Sequence, residues 1–398
     1  MVRKIKRFIK KILPKYIIDI LRQYKINVTK PICFNVCQTN YKRSCLMVYI
    51  TEPFRNGITS SHQNSWQVVE LARVISRFGY NVDVIDLDYA RSNFLKKYDL
   101  LIDLHPKDKS IYEKNLKTDC IKIAYITGSN TRFSNNAEKS RLDNLTKRKN
   151  KRLIQRRSAA LISRNIEKYN AMFFIGNKYN LKTFNEFKLP PVYFIKNNGY
   201  QLNIDGSKRS AKNFCFFASS GQVHKGLDLL LDVFAYKCTD CNLYICSSFE
   251  EEEDFCDLYN KELYKTKNIF PIGFVDIKGE KFKEVVEKCS YMIMPSCSEA
   301  NAGSVITAMS AGLIPIVSRE CGFEDDEVIY LKDCSLECLE NTVNKYAAKN
   351  RLWIETESMR SKRIIEARYS KNNFTESIVV ALENVLVKSD EKIERNLR

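Results

Sequence analysis

The sequence predicts an α/β protein with two doubly wound, Rossmann-like domains that face each other across a cleft. Three observations support this. The chain has 398 residues, more than one hydrophobic core usually supports. Continuous apolar runs of strand length alternate with helical patterns, as in parallel sheets covered on both faces. This alternation begins at Ser44, ends near residue 200, and restarts after a polar, basic connector.

Each half contains its own series of predicted elements. The first half has the strands "CLMVYI", "NVDVIDL", "YDLLIDLH", "IKIAYIT", "AMFFIGN" and "PVYFIKNNG", with a helix "SWQVVELARVISRFG" after the first. The second half has the strands "NFCFFAS", "NLYICS", "NIFPIG", "YMIMP" and "LIPIVS", with helices between them. We therefore expect an N-terminal segment at 1–40, domains at 41–200 and 201–372, and a C-terminal helix at 373–398 that packs back on the first domain.

The N-terminal segment is strongly basic. Residues 1–25 hold nine Lys or Arg against the single Asp19, and apolar residues recur between them at helical spacing. This pattern is typical of a helix lying on an anionic membrane, although a basic helix packed on its own domain has the same signature. With no run long enough to span a bilayer and no signal-peptide core, we expect a cytoplasmic protein, peripheral on the inner face of the cell membrane.

Several other signals favour ordinary structural roles. The fourteen cysteines predict reduced thiols, since "CTDC" at 238–241 has no second ligand pair at zinc-site spacing. The "DLD" at 86–88 lacks further ligands nearby, so no metal is expected. The acidic run 250–254 is interpreted as a helix start that complements the dipole. The basic run 147–157 lacks interleaved aromatics, so it predicts a solvated or membrane-facing helix surface and no nucleic-acid partner.

The segment after the strand "YMIMP" predicts an anion site. A loop at 296–303 leads into a helix that starts near Ser304, whose first N–H groups have no partner within the helix. Small residues at Ala300, Ala302 and Gly303 allow a ligand to approach the backbone, and a phosphate fits there. Glu299 is suited to accept hydrogen bonds from sugar hydroxyls; its alternative role is a capping carboxylate.

A second loop, "ASSGQVHKG", follows the first strand of the second domain and is expected at the same sheet edge. Gly221 and Gly226 permit tight turns, Ser219 and Ser220 offer hydroxyls, and Lys225 offers a charge for phosphate oxygens. A helix-opening surface lysine is the alternative. Together the two loops predict a site for a nucleotide-diphosphate sugar.

Residues from about 213 to 330 resemble the donor domain of the retaining glycosyltransferases of sequence family 4, which have the GT-B fold. The resemblance rests on "HKGLDLLL", on "PS" before the Glu299 loop, and on a small-residue helix followed by "GLIPIV". It implies that Lys225 binds the donor diphosphate, that Glu299 binds the donor sugar, and that the backbone at 302–304 binds sugar and phosphate. The predicted donor-binding set is Ser219, Ser220, Gly221, His224, Gly226, Ala302, Gly303, Ser304 and Thr307.

Two positions depart from the family pattern. Thr307 stands where a second carboxylate usually grips the nucleotide ribose, and the arginine often found just before the lysine is missing. In the first domain the resemblance is looser and extends to bacterial surface-polysaccharide glycosyltransferases. There the predicted acceptor-side residues are His62, His105, Asn130, Arg132, Asn135 and Glu138, although a lone histidine is more often structural.

The sequence therefore predicts a metal-independent, retaining glycosyltransferase with no cofactor other than its nucleotide-sugar co-substrate. The acceptor is expected to be a lipid-linked or growing surface glycan, as in lipopolysaccharide, capsule or O-antigen. The family implies a front-face mechanism, with catalytic roles for Lys225 and Glu299. Two alternatives remain open: a non-catalytic GT-B relative that binds a nucleotide sugar or glycan in a membrane assembly, and a GT-B nucleotide-sugar epimerase.

Overall fold

The structure is a computed structural model that describes residues 32–59, 63–87, 96–106 and 112–397, with side chains up to residue 387. Residues 1–25, predicted to contact a membrane, lie outside these ranges, as do His62 and Asp88.

The first domain is built on a six-stranded parallel sheet in the order β2-β1-β3-β4-β5-β6. Its β1 is flanked by β2 on one side and β3 on the other, so the chain reverses direction across the sheet at β1. The elements are β1 (Arg43–Tyr49), α1 (Glu52–Asn56), α2 (Asn64–Arg77), β2 (Tyr80–Asp86), β3 (Tyr98–Asp103), β4 (Leu116–Ile126), α3 (Thr131–Lys149), β5 (Ala171–Phe174), α4 (Lys178–Leu181) and β6 (Val192–Phe194), with 3-10 turns at Glu113–Asn115, Arg164–Lys168 and Lys182–Phe184.

The second domain repeats this architecture with a sheet in the order β12-β11-β10-β7-β8-β9. Strand β7 lies between β10 and β8, so this sheet also reverses at its first strand. The elements are β7 (Ser210–Phe217), α5 (Gln222–Lys225), α6 (Leu227–Tyr236), β8 (Asn242–Cys246), α7 (Glu253–Leu258), α8 (Asn260–Lys265), β9 (Ile269–Pro271), α9 (Glu280–Lys288), β10 (Cys289–Met294), α10 (Gly303–Ser310), β11 (Ile314–Val317), β12 (Ile329–Tyr330), α11 (Leu336–Ala347) and α12 (Arg351–Arg368), with 3-10 turns at Phe249–Glu251 and Arg319–Cys321.

The predicted fold class is confirmed. Strand β10 is buried along its whole length, and β1 is buried except at its first residue. This burial explains why both strands are continuous apolar runs in the sequence. Each sheet has its own hydrophobic core. Two doubly wound parallel sheets therefore form two α/β domains, as the alternation of strands and helices indicates.

Helix α3 belongs to the first half of the chain but packs on the second domain. The helix begins after Asn130, whose side chain accepts a hydrogen bond from the Arg132 N–H, and ends at Asn150 in the left-handed conformation. Its Leu142 and Leu145 are part of the second domain's core. The helix therefore joins the two domains through apolar burial.

The basic run 147–157 is neither a continuous helix nor a freely solvated surface, which corrects the sequence interpretation. Helix α3 ends at Lys149, and the remainder has no regular secondary structure. Arg148 forms ion pairs with Asp228 and Asp232, two buried carboxylates of α6. A charge run has the same pattern in sequence whether its partners are water or buried carboxylates, so sequence reasoning missed this contact.

The last helix, α13 (Lys371–Leu397), returns to the first domain. Phe374, Ile378 and Leu382 recur every four residues, lie on one face, and are fully buried in the first domain's core. The Phe374 ring packs edge-on against Trp66 of α2, with 5.4 Å between the ring centroids. The chain thus crosses between the domains a second time at its C-terminal end.

The structure also bears on the predictions about membrane spans, metal binding and cysteines. Within the described ranges, every helix is either too short or too polar to span a bilayer. The same residues hold no cluster of three or more His, Cys, Asp or Glu side chains arranged to bind a metal ion. All fourteen cysteines are free thiols, and Cys238 and Cys241 are buried.

We predict that Phe374→Ala will lower the free energy of unfolding by about 4 kcal/mol, because a fully buried aromatic ring leaves a cavity when it is removed. The control is Val380→Ala on the same helix, where the side chain is 55% exposed. This change should cost less than about 0.5 kcal/mol. Urea unfolding of both variants measures the difference, and equal effects would show that α13 does not complete the first core.

Candidate functional site

The sheet topology places the two predicted loops together. Because β7 and β10 are adjacent and parallel, the loops that follow them leave the sheet at the same edge. This is the point where the strand order reverses, and ligands of doubly wound sheets bind there. The residues at 218–226 and 295–303 are therefore neighbours, as the sequence predicts.

Lys225 and Glu299 form an ion pair at this edge, although 74 positions separate them in the sequence. The Lys225 ammonium contacts Glu299 Oε1, which also accepts a hydrogen bond of 2.8 Å from the Ser296 hydroxyl. Lys225 is only 6% exposed. Burial of this pair makes a surface role for the lysine untenable.

Glycine sets the position of Lys225. The lysine ends the single turn α5, and Gly226 follows it with φ of 82°, a conformation that favours glycine. A Cβ at Gly226 would lie 2.5 Å from the carbonyl oxygen of Pro295. The "KG" pair therefore lets the β7 and β10 loops approach closely enough for the ion pair to form.

The local charges keep Glu299 ionised. Burial acts to raise the pKa of its carboxyl, but the neighbouring Lys225, His224 and Arg157 outweigh burial and hold the pKa at about 2. Glu299 is thus a carboxylate at neutral pH. It is suited to accept hydrogen bonds rather than to donate a proton.

His224 is neutral at physiological pH. Burial lowers its pKa to about 4, and the side chain is 2% exposed. Its Nε2 lies 2.6 Å from the Ser298 carbonyl oxygen, so Nε2 carries the proton and donates it there. His224 therefore fixes the loop that carries Glu299, and its Nδ1 is a buried atom with no hydrogen-bond partner among the described residues.

The backbone of Gly221 forms the turn that the sequence predicts, with φ of 87°, and its N–H has a partner within the protein. Its N–H and that of Gln222 donate to the buried carboxylate of Glu252, which is part of the acidic run 250–254. These amides are satisfied within the protein and are not open to a phosphate. Burial raises the pKa of Glu252. The acidic run is thus more than a helix start, because one member caps the glycine loop.

The start of α10 keeps free donors. The N–H groups of Gly303 and Ser304 have no hydrogen-bond partner among the described residues, whereas the Ala302 N–H bonds to the Cys321 carbonyl. Unpaired N–H groups and the helix dipole make this end positive. Of the two predicted anion sites, this one is available. The hydroxyls of Ser219 and Ser220 also have no hydrogen-bond partner in the described part of the chain.

Thr307 is bonded across the domain boundary. Its hydroxyl donates to the Gly303 carbonyl at 2.9 Å and accepts from Gln63 Nε2 at 3.1 Å. Gln63 Nε2 also donates to the Gly303 carbonyl. A side chain from the first domain therefore binds the residue that stands where the family pattern has a carboxylate.

The first domain also holds the backbone of Glu299. The Ser129 N–H and hydroxyl donate to the Glu299 carbonyl, and Asn180 Nδ2 approaches the same oxygen at 3.4 Å. Arg141 of α3 donates to the Pro295 carbonyl at 2.9 Å. The β10 loop is thus clasped by groups from both halves of the chain.

The predicted acceptor-side residues within the described ranges have hydrogen-bond or ion-pair partners in the protein. Asn130 caps α3, and Arg132 pairs with Glu186. Asn135 bonds to the backbone of Ala159. For Glu138 the structure corrects the expectation, because its carboxylate is buried and accepts backbone N–H groups from 156 and 157. His105 lies after β3, with its N–H bonded to the Asp103 carboxylate.

Sequence reasoning missed Gln63, Ser129, Glu252 and Arg157 as parts of this region. Only Glu252 had a usable signal, since it follows β8, which ends at the same sheet edge as β7. The others come from segments far away in sequence, and nothing local marks them.

The fold and the site define a class. Two doubly wound parallel domains form the GT-B fold, and the second of them carries the ion pair and the free helix N-terminus at its reversal point. Residues 203–370, which span most of the second domain, match the family described as Glycosyl transferases group 1. A search of curated proteins gives no significant match.

Solved structures agree on the fold. TarM is 13% identical with a TM-score of 0.51, over 72% of this chain and 54% of TarM, so the chain spans about half of that protein. Sucrose-phosphate synthase from Thermosynechococcus elongatus is 11% identical with a TM-score of 0.58, over 87% and 100%. WaaG, a glycosyltransferase involved in lipopolysaccharide biosynthesis, is 12% identical with a TM-score of 0.52, over 85% and 99%.

We predict that stability falls as the pH is lowered from 7 to 5, partly because of His224. Its folded pKa of about 4 lies below the ordinary value of 6.5, so its contribution is present above pH 6.5 and is lost as the pH falls toward 4. Over this window the loss should be on the order of 2 kcal/mol. His224→Gln keeps an N–H for the Ser298 carbonyl. It should reduce the loss of stability between pH 7 and pH 5 by the contribution assigned to His224. Unchanged profiles in urea unfolding would contradict the assignment.

Proposed function

We propose that the protein is a retaining glycosyltransferase that moves a sugar from a nucleotide-diphosphate sugar to a lipid-linked or growing surface glycan. The observation that carries the proposal is the buried Lys225–Glu299 pair beside the free N-terminus of α10, within the group 1 domain. Buried ion pairs are poor devices for stability, because desolvation offsets much of their attraction. The presence of the Lys225–Glu299 pair at the ends of two strands, where ligands bind, therefore favours a role in binding.

Lys225 and α10 supply the positive groups that the leaving diphosphate needs. When the bond to the sugar breaks, negative charge grows on the diphosphate and positive charge on the sugar ring. The Lys225 ammonium has three N–H donors and donates one to Glu299; the other two have no acceptor among the described residues and are assigned to phosphate oxygens. The free N–H groups at Gly303 and Ser304 add the helix dipole. This arrangement supports catalysis without a metal ion.

Glu299 is assigned to the donor sugar. Its Oε1 is shared by Lys225 and Ser296, which leaves Oε2 as the acceptor for sugar hydroxyls. A carboxylate held by two donors orients a sugar better than it attacks one. We therefore assign a front-face reaction, in which the acceptor hydroxyl forms the new bond on the side of the leaving group. The departing phosphate takes the proton of that hydroxyl.

A surface-glycan acceptor and a place on the inner face of the cell membrane complete the proposal. The basic N-terminal segment has the charge and spacing of a membrane-surface helix. WaaG, which shares the fold, is described as acting in lipopolysaccharide biosynthesis. A lipid-linked acceptor explains why a protein built for a water-soluble donor has such a segment.

A second candidate is a non-catalytic relative that binds a nucleotide sugar in a membrane assembly. It is supported by Thr307, which bonds to Gln63 and offers no carboxylate to a ribose. Slow hydrolysis of the donor separates the two functions. A transferase releases free sugar and nucleoside diphosphate, whereas a binding protein returns the donor intact.

We predict that Lys225→Ala and Glu299→Gln fail differently. Lys225→Ala should weaken binding of nucleoside diphosphate and slow turnover on the order of a hundredfold, because one electrostatic contact to the leaving group is lost. Glu299→Gln frees Lys225 for phosphate, so nucleoside diphosphate should bind equally well or more tightly. Its defect should appear with the nucleotide sugar and in turnover. Calorimetry with uridine, guanosine and adenosine diphosphates and their glucose conjugates measures both ligands.

The control is Lys212→Ala, which removes an exposed lysine paired with Asp240 on the same domain. It should behave as wild type. All measurements are repeated in EDTA and with Mn²⁺ or Mg²⁺, and equal values are expected. If the wild type binds no nucleotide, the donor function fails. If turnover needs the added ion, the metal-free reaction fails.

We further predict that removal of residues 1–25 abolishes binding to vesicles that contain anionic lipid while nucleotide binding stays intact. The nine basic residues of the segment are attracted to anionic headgroups, and this attraction weakens with salt. Co-sedimentation at physiological salt compares the full chain with the truncated one. Equal sedimentation of both would show that the segment is not a membrane contact.

A further inference from the structure

Arg157 lies across the glycine loop of the second domain, although it comes from the first half of the chain. A Cβ on Gly221 would be 2.6 Å from Arg157 Cγ and 2.9 Å from Cδ. The aliphatic part of the arginine therefore rests directly on the α carbon of Gly221. Only glycine leaves room for this contact, and the φ of 87° at Gly221 has the same requirement.

The backbone of Arg157 is held firmly. Its N–H donates to both carboxylate oxygens of Glu138, at 3.2 and 2.9 Å, and Glu138 is 1% exposed. The preceding N–H, of Arg156, bonds to the same carboxylate at 2.9 Å. Glu138 sits on α3, which is itself packed in the second domain's core. The position of Arg157 is thus set by buried groups and not by a loose surface loop.

Arg157 is exposed, and its stem lies on Gly221 of the glycine loop. Its charge contributes to lowering the pKa values of both Glu299 and His224. Three other cations of the basic run pair with protein carboxylates: Arg148 and Lys149 with carboxylates of α6, and Arg156 with Asp254. Among the described residues the Arg157 guanidinium has no hydrogen bond or ion pair, while its stem is held against Gly221.

We propose that Arg157 is a second cation for the donor diphosphate and takes the place of the arginine that the 219–224 loop lacks. Lys225 supplies a buried point charge, while Arg157 supplies a planar fork on the open side of the same loop, suited to bidentate contact with phosphate oxygens. This assignment rests on the proposed donor site. It adds that the first half of the chain contributes directly to donor binding.

The test compares two substitutions of Arg157 that keep its aliphatic stem on Gly221. Arg157→Met removes the charge, whereas Arg157→Lys keeps it. With the nucleoside diphosphate that binds wild type most tightly, Arg157→Met should raise Kd about tenfold, as expected for one lost charged hydrogen bond. Arg157→Lys should lose less. The corresponding unphosphorylated nucleoside should bind all three proteins equally.

Arg152→Met is the matched control, because Arg152 lies in the same basic run, is exposed, and has no ion pair in the described part of the chain. It should bind the diphosphate as wild type does. Circular dichroism melting confirms that each variant is folded.

If Arg157→Met binds the diphosphate as tightly as wild type, or if Arg152→Met loses as much affinity, Arg157 has no specific role. If Lys225→Ala loses affinity while Arg157→Met does not, the donor site stands and only this inference fails. If wild type binds no nucleoside diphosphate, both fail.

Discussion

The buried ion pair between Lys225 and Glu299 is the interaction on which the site depends. Two charges removed from water are costly unless geometry and further hydrogen bonds compensate. Here Gly226 allows the Pro295 backbone to approach, Ser296 donates to the same carboxylate, and Ser129 holds the Glu299 carbonyl. The close approach of the β7 and β10 loops follows from sheet topology, so the pair exists because two parallel strands end side by side.

Internal carboxylates occupy some of the sites that a ligand anion would otherwise take. Glu252 accepts the backbone N–H groups at the start of α5, and Glu138 accepts those at 156 and 157. Buried N–H groups need acceptors, and these carboxylates supply them. The N-terminus of α10 is different, because its first two N–H groups have none among the described residues. The pattern of satisfied and unsatisfied donors thus distinguishes scaffold from binding surface.

Much of the fold and the centre of the site could be predicted from sequence, because both are encoded locally. Apolar runs marked the strands, and the "KG" and small-residue motifs marked Lys225 and the α10 loop at two strand ends. The contacts that involve charge runs could not be predicted. Arg148 meets Asp228 across 80 positions, and Lys149 meets Glu262 across 113. Such partners depend on tertiary packing, and a solvated run and a paired one look alike in sequence.

The hydrogen bonds from the first domain to the β10 loop and α10 link donor binding to the arrangement of the domains. The Glu299 carbonyl is held by Ser129, and the start of α10 by Gln63, so the donor site and the domain interface share the same loops. A ligand that alters the positions of Gly303 or Glu299 must also alter those contacts. By linkage, any ligand that binds one arrangement of the domains more tightly will favour that arrangement in proportion to the difference in affinity. Helix α3 packs in the second domain's core and α13 in the first domain's core, so apolar burial ties the two halves of the chain together and the polar contacts around the β10 loop add the donor site to that connection.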